Sequence, residues 1–316
     1  MAAEPESSSP AAPCHPRLLL LAGPTAVGKS EIALQLAERL GGEIISVDSM
    51  QVYRGLDIGT AKPSRADRGR VLHHLIDVVE VTEPFDAAQF VRLASLAVAD
   101  IRRRGRLPVL CGGTGLYFKA FLDGLGETPP ADVALRAVLE STPLPDLLRE
   151  LVEHDPATYE RIDRQNLRRV IRALEVIRLT AKPFSAQRAD WQHTTPRTQQ
   201  AAGCFGFARS PADLHQRISA RVDAMFRQGW VAETEQLLKR GLAQNKTAMQ
   251  ALGYRQIVEH LGGERSLADT IELVKLRTRQ FAKRQMTWFR GQLQLTWTNL
   301  EPESRPEAVA ESIARL

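Results

Sequence analysis

Eight consecutive residues carry the most specific chemistry in this chain. Gly23-Pro24-Thr25-Ala26-Val27-Gly28-Lys29-Ser30 fits the pattern G-x-x-x-x-G-K-[ST]. Glycines in such a loop let the backbone wrap closely around phosphate oxygens, so that amide N–H groups converge on them. Lys29 adds a point charge, Ser30 a hydroxyl suited to Mg²⁺, and a helix that follows directly adds the positive end of its dipole. Any diphosphate or triphosphate fits this cradle. By itself it serves NTP hydrolysis, phosphoryl transfer to a small molecule, or ionisation of a diphosphate leaving group. A second candidate is Asp48, which opens Asp48-Ser49-Met50-Gln51-Val52-Tyr53. Its carboxylate reads as a general base or, equally on spacing, as a helix cap or an outer partner of Mg²⁺.

These groups must be held at one end of a sheet. Arg17 to Gly23, with four successive leucines, reads as a strand buried on both faces, and Lys29 to Leu40 as the helix after it. Glu43 to Val47 is expected to be a second buried strand, which places Asp48 at the carboxyl end of the sheet, where open α/β folds bind ligands. A third strand is expected over Leu107 to Gly113, preceded by a helix with Phe90, Leu93, Ala97 and Ile101 on one face. Asp86 is placed to cap that helix, Gly105 to end it, and Arg102 to Arg104 to complement its dipole. Strands alternating with helices imply a parallel sheet with right-handed crossovers.

From about Gly124 the pattern changes. Thr128-Pro129-Pro130 marks a break, and amphipathic helical stretches follow to about Lys182 with no convincing strand. Thr194 to Thr198 reads as a link, Ala201 to Ala208 as a return to the sheet, and Gln294 to Leu300 as a last strand. The expected fold class is therefore α/β: a P-loop NTPase-like parallel-sheet core over residues 17–123 and 199–316, with a helical insertion domain over 124–198. Residues 1–16, rich in Ala, Pro and Ser and without a basic start or apolar segment, read as a disordered tail.

Composition narrows the class without naming it. A chain of 316 residues, 43% hydrophobic and 25% charged, is that of a folded protein with one large domain and an insertion. No apolar run approaches the roughly 18 to 20 residues that cross a bilayer, so no membrane partner is expected. The three cysteines, Cys14, Cys111 and Cys204, show neither a disulfide nor a zinc spacing and fit a reducing cytoplasm. A net charge of +5 permits a polyanionic partner, and where the charges sit matters more. Lys275, Arg277, Arg279, Lys283, Arg284 and Arg290 form an acid-free basic run on an expected helix, accompanied by Trp288 and Phe289, which read as core. Arg164, Arg168, Arg169, Arg172 and Arg178 form a second set, read as phosphate contacts in preference to a solvated face.

Motifs spread along the chain resemble one family. Gly23 to Ser30, Asp48 to Tyr53, Ile58-Gly59-Thr60-Ala61-Lys62-Pro63 and Gly112-Gly113-Thr114-Gly115-Leu116-Tyr117 are similar, in order and spacing, to the signatures of bacterial tRNA dimethylallyltransferases. Gln165-Asn166-Leu167-Arg168-Arg169, Gly253-Tyr254-Arg255 and Arg279 to Gln285 continue the likeness, which spans everything beyond the tail. The resemblance implies a dimethylallyl diphosphate donor, Mg²⁺, and as acceptor the 6-amino group of the adenosine beside the anticodon of a tRNA stem-loop. It implies an enzyme acting as a monomer in the cytoplasm. It makes Asp48 the base that takes the amine's proton, and Lys29, Ser30 and Arg221 the groups that stabilise departing pyrophosphate. Read from the residues alone, Arg221 in Arg217-Ile218-Ser219-Ala220-Arg221 is a solvated surface arginine, and Thr114 is either a helix cap or a hydroxyl that meets substrate.

By the same resemblance, Asp48, Ser49, Met50 and Gln51, Gln165 to Arg169, Gln250-Ala251-Leu252-Gly253-Tyr254-Arg255, Thr114 and Arg136 match positions that contact tRNA. The competing classes are a small-molecule kinase using ATP, a prenyltransferase acting on free adenine nucleotide, and an RNA-binding GTPase-like module. The kinase reading, whose mobile arginine-bearing segment Arg168 and Arg169 could imitate, explains less of the chain; the insertion and the basic C-terminal third argue for a macromolecular acceptor over a free nucleotide; and the third lacks an N-K-x-D sequence.

Overall fold

The computed structural model describes residues 18–126, 128–187 and 202–315. The expected tail over residues 1–16 and the link from Thr194 to Thr198 lie outside them. Two compact units result, one taking the chain through Lys119 and again from Arg197, the other Ala120–Pro196.

In the first unit β1 (Leu18–Ala22) leads into α1 (Lys29–Arg39), then β2 (Gly42–Val47), α2 (Arg65–Arg70), β3 (His73–His74), α3 (Ala87–Arg103), β4 (Leu107–Gly112) and the start of α4 (Gly115–Asp123). The second unit holds α5 (Val133–Ser141), α6 (Leu144–His154), α7 (Pro156–Arg161), α8 (Leu167–Thr180) and α9 (Phe184–Gln187). The first unit resumes with β5 (Ala202–Ala208), α10 (Pro211–Arg227), α11 (Trp230–Lys239), α12 (Tyr254–Leu261), α13 (Leu267–Gln292), β6 (Thr296–Asn299) and α14 (Pro306–Ala314).

Among the described residues the sheet has six strands in the order β3-β2-β4-β1-β5-β6, and every pairing is parallel. The register sets Leu21 beside Cys111 and Phe205, so β1 and β4 end together while β5 runs two residues further, to Ala208. All five residues of β1 are buried, as an apolar strand covered on both faces must be. Ile32 and Leu36 of α1 pack with Ala310 and Ile313 of α14 in the same core cluster as Leu19 and Leu21.

Helix α3 shows how local signals placed the elements and where they stopped. Asp86 caps it by accepting from Gln89 N at 2.9 Å, Gln89 Oε1 in turn accepts from Asp86 N at 3.2 Å, and Gly105 turns away at φ 68°. The buried stripe, however, is Phe90, Ala94, Val98 and Ile101, with Leu93 and Ala97 at its half-buried flank. Both sets satisfy a 3.6-residue period, and which lies innermost depends on how the helix rolls onto the sheet. Sequence periodicity also hid a charge in β2. Glu43 is buried, and it accepts hydrogen bonds from Arg104 and from His74, the latter at 2.7 Å. Burial alone would raise its pKa; the Arg104 and His74 hydrogen bonds outweigh it and hold the carboxyl below its usual value.

The second unit builds its own core from Leu139, Leu147, Leu151, Val170, Leu174 and Ile177. Glu175 of α8 is fully buried on the same helix, yet it meets Arg136 at 2.8 and 3.0 Å and Arg172 at 2.5 Å. Two members of the expected phosphate-contacting set are therefore engaged elsewhere: Arg172 on Glu175, and Arg178 bidentately on Glu150 at 2.7 Å. Arg136 is held the same way. A carboxylate taken out of water needs such partners, and helical spacing alone does not show which arginines will supply them.

Candidate active site

The loop from Gly23 to Ser30 joins β1 to α1, as its pattern requires. Ala26 at φ 65° and Gly28 at φ 106° turn the backbone through the left-handed region, which brings Lys29 and Ser30 into the first turn of the helix. The Lys29 ammonium donates to Pro24 O at 3.1 Å. Burial, with Arg221 adding and Cys111 and Asp48 opposing, lowers its pKa from the usual 10.5. Ser30 is exposed at the loop's open side.

Three side chains to which the sequence reading gave no role hold this loop. Arg209 donates to Val27 O at 2.9 Å and anchors itself on Asp213 and the Glu301 carbonyl. Arg217 donates to Ala26 O at 3.0 Å. Gln285 of α13 accepts from Thr25 N at 2.9 Å and donates to Gly113 O at 2.8 Å, so one buried amide ties the loop to the end of β4. Arg217 stands four residues before Arg221 on α10, a helical spacing that offered a signal for it. Gln285 lay inside a quoted motif, but only the fold shows what its amide meets.

Asp48 follows β2 directly. Its Oδ1 accepts from Met50 N at 2.8 Å and Gln51 N at 3.3 Å, so it caps its own turn while its charge acts on Lys29, Cys111 and Arg221. Thr114, at the end of β4, accepts Ser49 N–H at 3.0 Å through Oγ1 and donates its own N–H to Val47 O at 3.1 Å. It fixes the Asp48–Gln51 turn instead of closing its own helix. Gln51 then reaches across to the carbonyls of Thr60 and Ala61 at 3.1 and 3.3 Å, and accepts from Ser46 Oγ at 2.8 Å.

Arg221 is not the solvated arginine that its residue type suggests. Burial lowers its pKa, Asp48 and Glu31 oppose that shift, and Arg217 adds to it. The charge of one carboxylate thus acts on two partly desolvated cations beside a phosphate-type loop. Among the described residues no three His, Cys, Asp or Glu side chains cluster as a metal cage. A Mg²⁺ ion here would rest on the Ser30 hydroxyl, water and the ligand's own phosphate oxygens, which is how that ion is commonly held beside phosphates. Cys111 under the loop is pushed up to about 11 by burial, so it stays a thiol at neutral pH.

The remaining expected RNA-facing residues divide by exposure. Gln165, Leu167, Arg168 and Arg169 are exposed at the start of α8, where Asn166 accepts from Arg169 N. In Gln250–Arg255, by contrast, Ala251, Gly253 and Tyr254 are buried, Leu252 is half-buried, and only Gln250 and Arg255 are exposed. Tyr254 is core: its ring sits edge-on to Trp230, and its hydroxyl donates to Glu233. An open cavity of about 540 Å³ begins at this segment, lined by Lys246, Leu252, Arg255, Arg277 and Arg284 among others. On α13, Lys275 is spent on Asp223 and Glu272, both supplied from outside the acid-free run. Phe289 is buried and Trp288 half-buried, its ring lying where a Gly115 side chain would be.

Residues 51–292 match the family model described as IPP transferase. The tRNA dimethylallyltransferase 1 of Trichlorobacter lovleyi is 45% identical over 286 residues, covering 89% of this chain and 93% of that protein. The tRNA dimethylallyltransferase of Halorhodospira halophila is 48% identical over 290 residues, covering 87% and 90%. Among solved structures, the full-length tRNA isopentenylpyrophosphate transferase of Bacillus halodurans is 37% identical with a TM-score of 0.68, covering 95% of this chain and 96% of that one. A eukaryotic dimethylallyltransferase acting on tRNA is 29% identical with a TM-score of 0.75, covering 89% and 73%.

Proposed function

The chain belongs to the IPP transferase family, and from that premise we propose that it transfers a dimethylallyl group from dimethylallyl diphosphate to the exocyclic 6-amino group of adenosine at tRNA position 37. Pyrophosphate is the other product. The observation that carries this reading is that the phosphate loop after β1 and the Asp48–Gln51 turn after β2 stand at the carboxyl ends of parallel strands on either side of β4, whose end Gln285 and Thr114 tie to the two of them. The C–O bond to diphosphate breaks and its electron pair leaves with the diphosphate oxygen, whose growing charge the loop amides, Lys29 and Arg221 stabilise. The adenine nitrogen forms its new bond to the allylic carbon, and its proton passes to Asp48. Thr114 holds the Asp48 turn in place through Ser49. When bound on Ser30, Mg²⁺ supplies further positive charge to the leaving group.

The acceptor side draws on the exposed Gln165, Leu167, Arg168 and Arg169 of the helical unit and on Gln250, Leu252 and Arg255. Among the described residues no helix is long and apolar enough to cross a membrane. We take the enzyme to work as a monomer in the cytoplasm. The test is a transfer assay with Mg²⁺, radiolabelled dimethylallyl diphosphate and unmodified tRNA carrying adenosine beside the anticodon, with matched tubes of AMP or labelled ATP. Label in tRNA alone is expected. Label in AMP, or phosphate transfer from ATP without prenylation, would reject the proposal.

A further inference from the structure

Helix α11 makes an unusual concentration of contacts with two loops. The Glu233 carboxylate accepts three consecutive backbone N–H groups, from Asp57 at 3.2 Å, Ile58 at 2.8 Å and Gly59 at 3.4 Å, and the Tyr254 hydroxyl at 2.6 Å. Successive N–H groups converging in this way form an anion-binding concavity, and here the chain fills it with its own carboxylate. One turn earlier, Trp230 is fully buried with its ring against both Gly59 and Gly253; a Cβ at either position would stand 2.3 or 2.0 Å from it. One helical turn thus clamps the Asp57–Gly59 loop and the Gly253-Tyr254 corner together.

Each clamped element leads to a set of residues expected to meet the acceptor. The loop continues to the Thr60 and Ala61 carbonyls that hold Gln51, and so to the Asp48–Gln51 turn. The corner carries Gln250, Leu252 and Arg255. The phosphate loop is held separately, by Gln285, Arg209 and Arg217. We propose that Glu233 is a positioning residue for tRNA recognition, setting the Asp48–Gln51 turn and the Gln250–Arg255 segment at the spacing that the anticodon loop requires. The inference rests on the assignment of tRNA as acceptor.

The prediction separates two Michaelis constants. Glu233→Leu leaves three N–H groups and one hydroxyl without their acceptor. The tRNA then spends binding energy restoring the spacing, so KM for tRNA rises about tenfold while kcat and KM for dimethylallyl diphosphate hold. Glu233→Gln keeps an oxygen for the Asp57 and Ile58 N–H groups and an amide that can donate to Tyr254, so it brings the tRNA constant back toward wild type. Steady-state transfer is measured for wild type, both variants and Tyr254→Phe, which removes one of the four donors and is expected to raise the tRNA constant about threefold. A wild-type enzyme that labels no tRNA would sink the assignment of function. A working wild type whose Glu233→Leu variant keeps its tRNA constant, or loses kcat alone through a smaller active fraction, would overturn the role of Glu233. If Glu233→Leu does not fold, an unchanged tRNA constant in Tyr254→Phe overturns it instead.

Discussion

A carboxylate that caps a turn and is proposed to accept a proton can be dissected by changing one of those tasks. Asp48→Asn retains an oxygen for Met50 and Gln51 N–H, so the turn and donor binding should persist, while the proton has no acceptor. The single-turnover transfer rate, read by rapid quench, is expected to fall about 100-fold or more. Full retention would remove Asp48 as the base. Gln285 invites the complementary test. Gln285→Leu releases Thr25 N and Gly113 O, neither of them on a residue expected to contact RNA, so KM for the diphosphate donor should rise several-fold with tRNA affinity unchanged in a binding titration.

Helices and strands were largely readable because their signals are local. The phosphate loop's spacing, the Asp86 cap, the apolar run of β1 and the Gly105 terminus each act within a few residues. What resisted reading was side-chain pairing across distance. No spacing rule assigns Arg136 to Glu175, Arg178 to Glu150 or Lys275 to Asp223, nor shows that Arg209 and Gln285 brace a loop far away in sequence. Glu175 makes the energetic point. Burial would raise its pKa, but Arg136 and Arg172 hold it below the usual 4.5. A folded-state value below the unfolded one gives stability that is fully present above about pH 4.5 and lost as pH falls through the depressed value. Glu175→Ala should cost about 3 kcal/mol, the low end for breaking a buried pair because both arginines reach water. Hydrogen exchange across α5 to α8 in the full chain checks it, with accelerated exchange at neutral pH expected.

For the molecule as a whole, charge location matters more than the net +5. Arg168 and Arg255 are exposed, Arg255 while donating to Glu259 at 2.9 Å, whereas Arg136 is half-buried against Glu175. Arg168→Ala and Arg255→Ala should each weaken tRNA binding more than donor binding, and each should reduce the slope of log K against log salt by about 1. Lys275→Ala is the internal contrast, since its ammonium is largely buried between Asp223 and Glu272 and the slope should stay put. Filter binding over a salt series distinguishes them.

The ring of Trp230 touches two glycines that are remote in sequence, and this has a genetic consequence. Gly59→Ala and Gly253→Ala should both behave as loss-of-function alleles, because each adds a methyl group where the indole stands. Their suppressors should differ. Gly59 has an ordinary backbone, so trimming Trp230 to a smaller apolar residue can make room and partly restore the allele. Gly253 stands at φ 95°, where any side chain is strained whatever the space around it, so the same second-site change should rescue it far less.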